Sequence, residues 1–279
     1  MPALLLSSAF IALLFASPAR ALWVRFGCVL LAGLGLLAPV LVAPPGVIRT
    51  ILGYAMVLGV FRTIQMVREE HPIRFRFLST VLLVDPRAQS KTDHGALFLV
   101  LRTILFSIAF LLCLVNVQRA PLVLGTLFVA AGATAVDGLV RLIGRAFGHQ
   151  WGALHDDPWM CSSLAEFWGG RWNRIVSHWL KWHVFVPVAE RFGRATGVIA
   201  TFAVSALLHF YPTYISTNLS NALMMASYFI IQGVLVLAEA SMPGQWSARW
   251  KRPFAYASVL APIPLFVLPG LRSIGLIPL

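Results

Sequence analysis

Charge is scarce in this chain. Only 11% of its 279 residues are Asp, Glu, Lys or Arg, and 10 acids face 22 bases. With 59% hydrophobic residues and a mean hydropathy of +0.81, this excludes an ordinary soluble domain, whose charged share is about 25%. Cysteine is equally sparse: Cys28 and Cys113 fall in apolar runs, Cys161 lies in a loop, and no Cys-x-x-Cys pair occurs. That excludes a disulfide framework and a cysteine-based zinc site. No internal repeat, low-complexity tract or soluble second domain breaks the pattern, so 1–279 reads as a single integral-membrane domain. The net charge of +12 sits mostly in segments 62–96 and 144–194, where acids alternate with bases, and in 241–253, which carries only Arg249, Lys251 and Arg252. None is an extended basic tract able to follow a phosphate backbone, which argues against a nucleic-acid partner.

What the chain has in abundance is long apolar runs. Those bounded by charge or proline predict an all-α, multi-pass bundle of about eight helices near 3–17, 26–43, 47–61, 97–116, 122–143, 195–215, 222–240 and 254–278. The first and third are short. Ala19-Arg20-Ala21 looks like a signal-peptide cleavage site, but Met1 to Phe15 contains no Lys or Arg, so the first run is read as a retained helix. An outside N-terminus leaves only Arg49, Arg119 and Arg272 outside, and the other nineteen of 22 bases fall on or near the inner side. This is the positive-inside asymmetry, and it puts Arg68, Asn173 and Trp246 inside, Pro45 and Thr217 outside. The membrane would be the endoplasmic reticulum in a eukaryote or the cytoplasmic membrane in a bacterium.

Of seven histidines, six lie in polar loops or at span ends, whereas His209 lies within the apolar run Ala195 to Ile215. An imidazole there costs solvation energy, which makes it the first candidate for chemistry; hydrogen bonding to a neighbouring helix is the alternative. The loop Gly148 to Arg194 is the densest in polar and aromatic residues, with six of the nine tryptophans between Trp151 and Trp182. Ser162 or Ser163 is placed to cap a helix, with Glu166 three residues after Ser163 in capping-box spacing. As one helix, Trp168, Trp172, Trp179 and Trp182 fall within about 80°, opposite Glu166, Asn173, Arg174, Ser177 and Lys181. That pattern fits an interfacial helix, although Gly169-Gly170 weakens its continuity. Asp137 and Arg141 have the i, i+4 spacing of an intrahelical pair. Asp137-Gly138 with Arg141 is also similar to a fragment of a phospholipid-forming phosphotransferase motif, without the further metal-binding aspartates. Asp156-Asp157 before Pro158 reads as a solvated turn rather than a magnesium site.

The string Ser163-Leu164-Ala165-Glu166-Phe167-Trp168-Gly169-Gly170-Arg171-Trp172-Asn173 closely resembles the S-L-x-x-F-W-G-x-R-W-[NH] signature of the wax synthase-like branch of the membrane-bound O-acyltransferase superfamily. Phe185-Val186-Pro187-Val188 is similar to the aromatic-x-Pro-Val segment that follows it, and Phe202 to His209 resembles the helix delivering the family histidine. The resemblance covers Trp151 to Ile215. It implies acyl transfer from acyl-CoA, as co-substrate, to the hydroxyl of a lipophilic alcohol such as a fatty alcohol, sterol or terpenoid. His209 and Asn173 would be catalytic, and Trp168, Arg171, Trp172, Arg174 and Lys181 would contact substrate. Relatives often have Ser-Gly ahead of the histidine and Glu after it; this chain has Ser205-Ala206 and Phe210, so that carboxylate partner is missing.

The chemistry supports the same residues independently. Acyl transfer to an alcohol needs a base for the hydroxyl proton, donors for the developing oxyanion, and exclusion of water. A buried neutral histidine meets the first and third needs, and the Asn173 amide donates without changing charge. Because a thioester is already activated, no enzyme nucleophile, metal or other cofactor is required, and no Gly-x-Ser-x-Gly elbow occurs. Ser205 faces His209 one helical turn earlier, a position that packing also explains. Arg171, Arg174 and Lys181 suit coenzyme A phosphates and the positive-inside rule equally. A transporter or lipid-binding scaffold with a structural or relay His209 is the other reading.

Overall fold

The computed structural model describes residues 33–68, 95–146, 148, 152–242 and 248–279. Among them there is no strand. The helices are α1 (Ala38–Val42), α2 (Val47–Arg68), α3 (Ala96–Asn116), α4 (Pro121–Ala146), α5 (Leu164–Glu166), α6 (Arg174–Leu180), α7 (Val186–Phe192), α8 (Arg194–Ser216), α9 (Leu219–Ser241), α10 (Ala248–Leu260) and α11 (Pro264–Ser273). Five stretches among the described residues are long and apolar enough to cross a bilayer: Ala96–Arg119, Pro121–Ala146, Arg194–Ser216, Leu219–Ser241 and Trp250–Ser273. Gly33–Val42 and Val47–Phe61 are shorter apolar helices. The helix expected over 3–17 and the start of the one over 26–43 lie outside the described residues, as does Trp246.

Local chemistry sets the boundaries. Pro121 opens α4 where its missing N–H is not needed, and the Asn218 side chain caps α9 by accepting the Asn221 N–H at 3.0 Å. The single span expected over 254–278 is instead two helices, α10 and α11, separated by a turn at 261–263. Pro262 and Pro264 remove backbone donors there and restrict the residues before them. The Ala261 N–H still reaches Ala257 O, and the Val267 N–H reaches Ile263 O, so both helix ends stay bonded around the break.

The hydrophobic faces sort into lipid-facing and buried. On α3, Leu97, Leu101, Leu105, Ile108, Leu112 and Val115 are exposed at spacings of three and four, a stripe suited to acyl chains. The core lies around α8 and α9. Phe202 packs with Val236, Ala255 and Val259, and Cys161, Leu164 and Phe167 from the 152–193 segment join that cluster. Two glycines permit the closeness: a Cβ on Gly233 would lie 2.9 Å from Phe202 Cβ, and one on Gly197 would lie 2.9 Å from Ala189 Cβ and 3.1 Å from the Phe185 carbonyl oxygen.

The two ends of the bundle differ in charge. At one, Arg49 donates to the carbonyls of Ala43 and Ile215, Thr50 donates to that of Ser273, and Arg272 donates to Asn221 Oδ1. The other end carries Arg102, Arg141, the polar segment 152–193 and Arg252. The sequence-based grouping of Arg49 and Arg272 with Pro45 and Thr217, away from Asn173, agrees with this arrangement.

Candidate active site

The 152–193 segment is tied to the spanning helices by buried polar groups. Asp137 Oδ1 on α4 accepts the N–H of Leu154 at 2.6 Å and of His155 at 3.2 Å. Its Oδ2 lies 3.8 Å from Arg141 Nη1, so the expected i, i+4 pair is present and also anchors the loop. Glu239, near the end of α9, accepts the N–H of Leu164 at 2.7 Å and of Ala165 at 2.9 Å. This satisfies donors at the start of α5 that burial would otherwise leave unpaired. Gln232, one to two turns earlier on α9 and fully buried, accepts the Trp168 Nε1–H at 3.0 Å and donates to the Ser258 carbonyl at 2.8 Å.

Within the segment, Ser163 caps α5 as expected, its Oγ accepting the Glu166 N–H at 3.0 Å. The Glu166 carboxylate reaches back to the N–H and hydroxyl of Ser162, one residue short of a full capping box, and pairs with Arg171 Nε at 2.8 Å. Burial alone would raise the Glu166 pKa. The hydrogen bonds from Ser162 and Arg171 outweigh it and bring the value down to about 2, so the group is a carboxylate at neutral pH.

The one-helix projection of 166–182 is overturned. Phe167–Arg171 and Lys181–Phe185 are π-helical turns, and Asn173 breaks the helix with a left-handed backbone at φ 41. Each departure resets the angular phase, so the tryptophans do not share a face. Trp168 and Trp172 line a cavity together with Asn173, Ser177 and Lys181. Trp179 turns away, stacks on Phe61 at 3.7 Å and donates to its carbonyl at 2.9 Å, while Trp182 is exposed. Asp156 is buried rather than solvated, at 1% exposure. Its N–H bonds the Arg171 carbonyl, and Asp157 pairs with Arg102 at 2.7 Å. The turn is a clasp between loop and α3.

That cavity, about 700 Å³, is lined by His209 as well as by Asn173, with Tyr54, Thr126, Phe229 and Phe266 among the other walls. The residues separated by 36 positions therefore face one space. His209 Nδ1 lies 2.9 Å from the Ser205 carbonyl oxygen. A carbonyl only accepts, so Nδ1 carries the proton and Nε2 of the neutral ring presents its lone pair. The ring stacks on Phe229 at 4.0 Å and meets Tyr54 edge-on at 5.8 Å. One carbonyl and two aromatic walls thus hold the imidazole.

Lys181 and Arg194 lie on the cavity lining at the basic end. Arg171 and Arg174 are not among the lining residues. Arg171 donates to Glu166 and to the carbonyls of Asp156 and Asp157, and Arg174 donates to the Ala153 carbonyl; both brace the segment. His155, Gln232 and Glu239 were not singled out from sequence. Polar groups inside the apolar run of α9 were a readable signal for the latter two. His155 carried none, being one polar-loop histidine among several.

The fold and cavity define an integral membrane protein in which an irregular segment at the basic end faces a histidine on a spanning helix. Residues 151–232 match the model of the membrane bound O-acyl transferase family, a range that contains both Asn173 and His209. The chain is 30% identical over 122 residues to a probable long-chain-alcohol O-fatty-acyltransferase 7 of Arabidopsis thaliana, covering 38% of this chain and 36% of that protein. It is 28% identical over 110 residues to an acyl-CoA–sterol O-acyltransferase 1 of the same plant, 37% of this chain and 32% of that protein. A long-chain-alcohol O-fatty-acyltransferase of Simmondsia chinensis is 28% identical over 92 residues, 30% of this chain and 26% of that protein. The matched stretches span only about a third of the length of these curated relatives. These matches make the chain similar to the wax synthase-like branch of the membrane-bound O-acyltransferases.

Proposed function

We propose that the protein transfers an acyl group from acyl-CoA to the hydroxyl of a lipophilic alcohol, forming an ester. The observation that carries this reading is the shared cavity of His209 and Asn173, with the imidazole tautomer set by Ser205. The alcohol O–H gives its proton to His209 Nε2 as its oxygen attacks the thioester carbonyl carbon. The charge that develops on the carbonyl oxygen is met by the Asn173 amide. When the intermediate collapses, the C–S bond breaks and the imidazolium returns the proton to the departing thiolate, so the ring ends as it began. Apolar and aromatic walls exclude water, which would otherwise hydrolyse the thioester.

Long-chain alcohols and sterols, named for the relatives, are the first alcohols to offer. Acyl-CoA would enter from the basic end, where Lys181 and Arg194 meet its anionic head. The membrane is the endoplasmic reticulum in a eukaryotic host and the cytoplasmic membrane in a bacterial one. The test is mass spectrometry of neutral lipids after membranes containing the protein receive labelled acyl-CoA and a panel of alcohols. A labelled ester dependent on the protein is expected. Accumulation of substrate in sealed vesicles without ester would replace the enzyme with a transporter.

A further inference from the structure

Two histidines line the cavity, and their hydrogen bonds set opposite tautomers. His209 gives its Nδ1 proton to the Ser205 carbonyl. His155 does the reverse, its Nδ1 receiving the Asn173 backbone N–H at 3.2 Å. Only a ring nitrogen without a proton accepts, so the proton of a neutral His155 sits on Nε2. Burial keeps the ring neutral by pushing its pKa down to about 4.

The ring is also held in place. Its backbone N–H is bonded to Asp137 Oδ1 at 3.2 Å, and the Trp172 ring packs edge-on at 4.6 Å. Asn173 has a left-handed backbone, a conformation asparagine takes more readily than most residues, and its N–H reaches His155 from it. That bond ties the backbone of Asn173 to a second polar group on the same cavity.

We propose that His155 is a further catalytic residue, a donor whose Nε2–H bonds the acyl carbonyl oxygen of the substrate alongside the Asn173 amide. The inference rests on the acyl-transfer reading above. The two histidines then divide the work: His209 presents a lone pair that takes and returns the alcohol proton, whereas His155 presents an N–H that it keeps throughout. No bond to His155 forms or breaks. A donor fixed in advance by a protein N–H needs no reorganisation as charge develops on the oxygen.

The test compares His155→Phe with His155→Gln. Phenylalanine keeps the planar bulk against Trp172 but neither accepts from Asn173 nor donates to substrate. Glutamine offers an amide oxygen to the Asn173 N–H and an N–H to the cavity. His155→Phe should lower kcat by about 10²–10³, as for loss of one oxyanion donor, with abundance and the KM for acyl-CoA little changed, and His155→Gln should restore most of the rate. Unchanged kcat in His155→Phe, or equal losses in both variants, would overturn the donor role. Nitrogen NMR of histidine-labelled protein in detergent supplies a readout independent of turnover. Near neutral pH, His155 should be protonated on Nε2 and His209 on Nδ1, with His155→Gln and His209→Gln assigning the signals. A His155 protonated on Nδ1 sinks the proposal even if the enzyme is active. If the wild type forms no ester from any alcohol, the acyl-transfer reading fails, while the NMR result still decides whether His155 is a fixed donor.

Discussion

The 152–193 segment and helix α8 bring one catalytic candidate each to the cavity by opposite means. Helix α8 is a regular 23-residue span, and it holds His209 with a carbonyl from its own preceding turn and a neighbouring phenylalanine. The segment is a succession of 3₁₀, α and π turns, and it holds Asn173 only because Asp137, Gln232 and Glu239 on two other helices reach into it. A spanning helix satisfies its own backbone and positions a side chain by periodicity. An irregular segment beside the membrane must have its backbone donors met from outside. Removing a remote polar group should therefore disturb Asn173 and leave His209 in place.

The largest expected effect is at the helix, which carries the proposed base. His209→Ala and His209→Gln should each lower ester formation by about 10²–10⁴ with unchanged membrane abundance, read by product mass spectrometry and immunoblotting. Substantial turnover in His209→Gln would break the assignment, because glutamine hydrogen-bonds but does not cycle a proton near neutral pH.

In the segment, Asn173→Ala should cost about 10²–10³ in kcat, and Asn173→Asp should also be poor because it replaces a donor with an acceptor. Asn173→Gly sharpens the contrast. Freed of a side chain at φ 41, it should melt no lower than wild type, and up to about 1 kcal/mol more stably, while turnover is lost. Near-normal activity in Asn173→Asp would end the donor role.

Glu239→Ala leaves the Leu164 and Ala165 N–H groups without their charged acceptor. It should cost about 1.5–3 kcal/mol in detergent melts and reduce kcat, with the His209 signals of histidine-labelled protein unmoved. Displacement of those signals would mean that the two regions are not independent.

A subtler separation lies between the cations. Lys181→Ala should raise the KM for acyl-CoA several-fold with kcat nearly unchanged, more so at low salt, where an exposed contact is stronger. Arg174→Ala, whose partner is the Ala153 carbonyl, should instead lower the melting temperature and leave KM alone.

The smallest effect is on pH. Burial brings the folded-state pKa of His155 down to about 4 from the ordinary 6.5, so the unfolded chain binds more protons between those values. Stability contributed by neutral His155 is therefore complete above pH 6.5 and falls as pH drops towards about 4. His155→Gln should flatten the melting profile across that window. An unaltered slope would show that His155 is not buried as a neutral ring.

Much was legible in the residues. The spans over 97–116, 122–143, 195–215 and 222–240 are marked by apolar length and bounding polar residues, and the described helices follow them within a few positions. His209 stood out because an ionisable group in an apolar run is rare for a physical reason, and the motif around Asn173 marked the second residue. The projection of the tryptophan segment failed because periodicity presumes one constant rotation per residue. Two π turns and one left-handed residue abolish that constancy; Gly169-Gly170 marks the first, and no composition signal announces the other two. Arg171 and Arg174 were grouped with Lys181 by charge, yet their guanidinium groups are engaged by carbonyls and a carboxylate of the segment itself.

Sequence alone determined that the chain is helical and membrane-embedded, which end is basic, and that a histidine and an asparagine are the polar residues most in need of explanation. Those properties depend on apolar length, charge placement and local spacing, all short-range. Long-range packing is what brings His209 and Asn173 to one cavity, joins His155 to them with the opposite tautomer, and lets α9 hold the segment through Gln232 and Glu239. These depend on hydrogen bonds across 18 to 75 positions, made where water is excluded and each buried donor must find whichever acceptor the fold brings near.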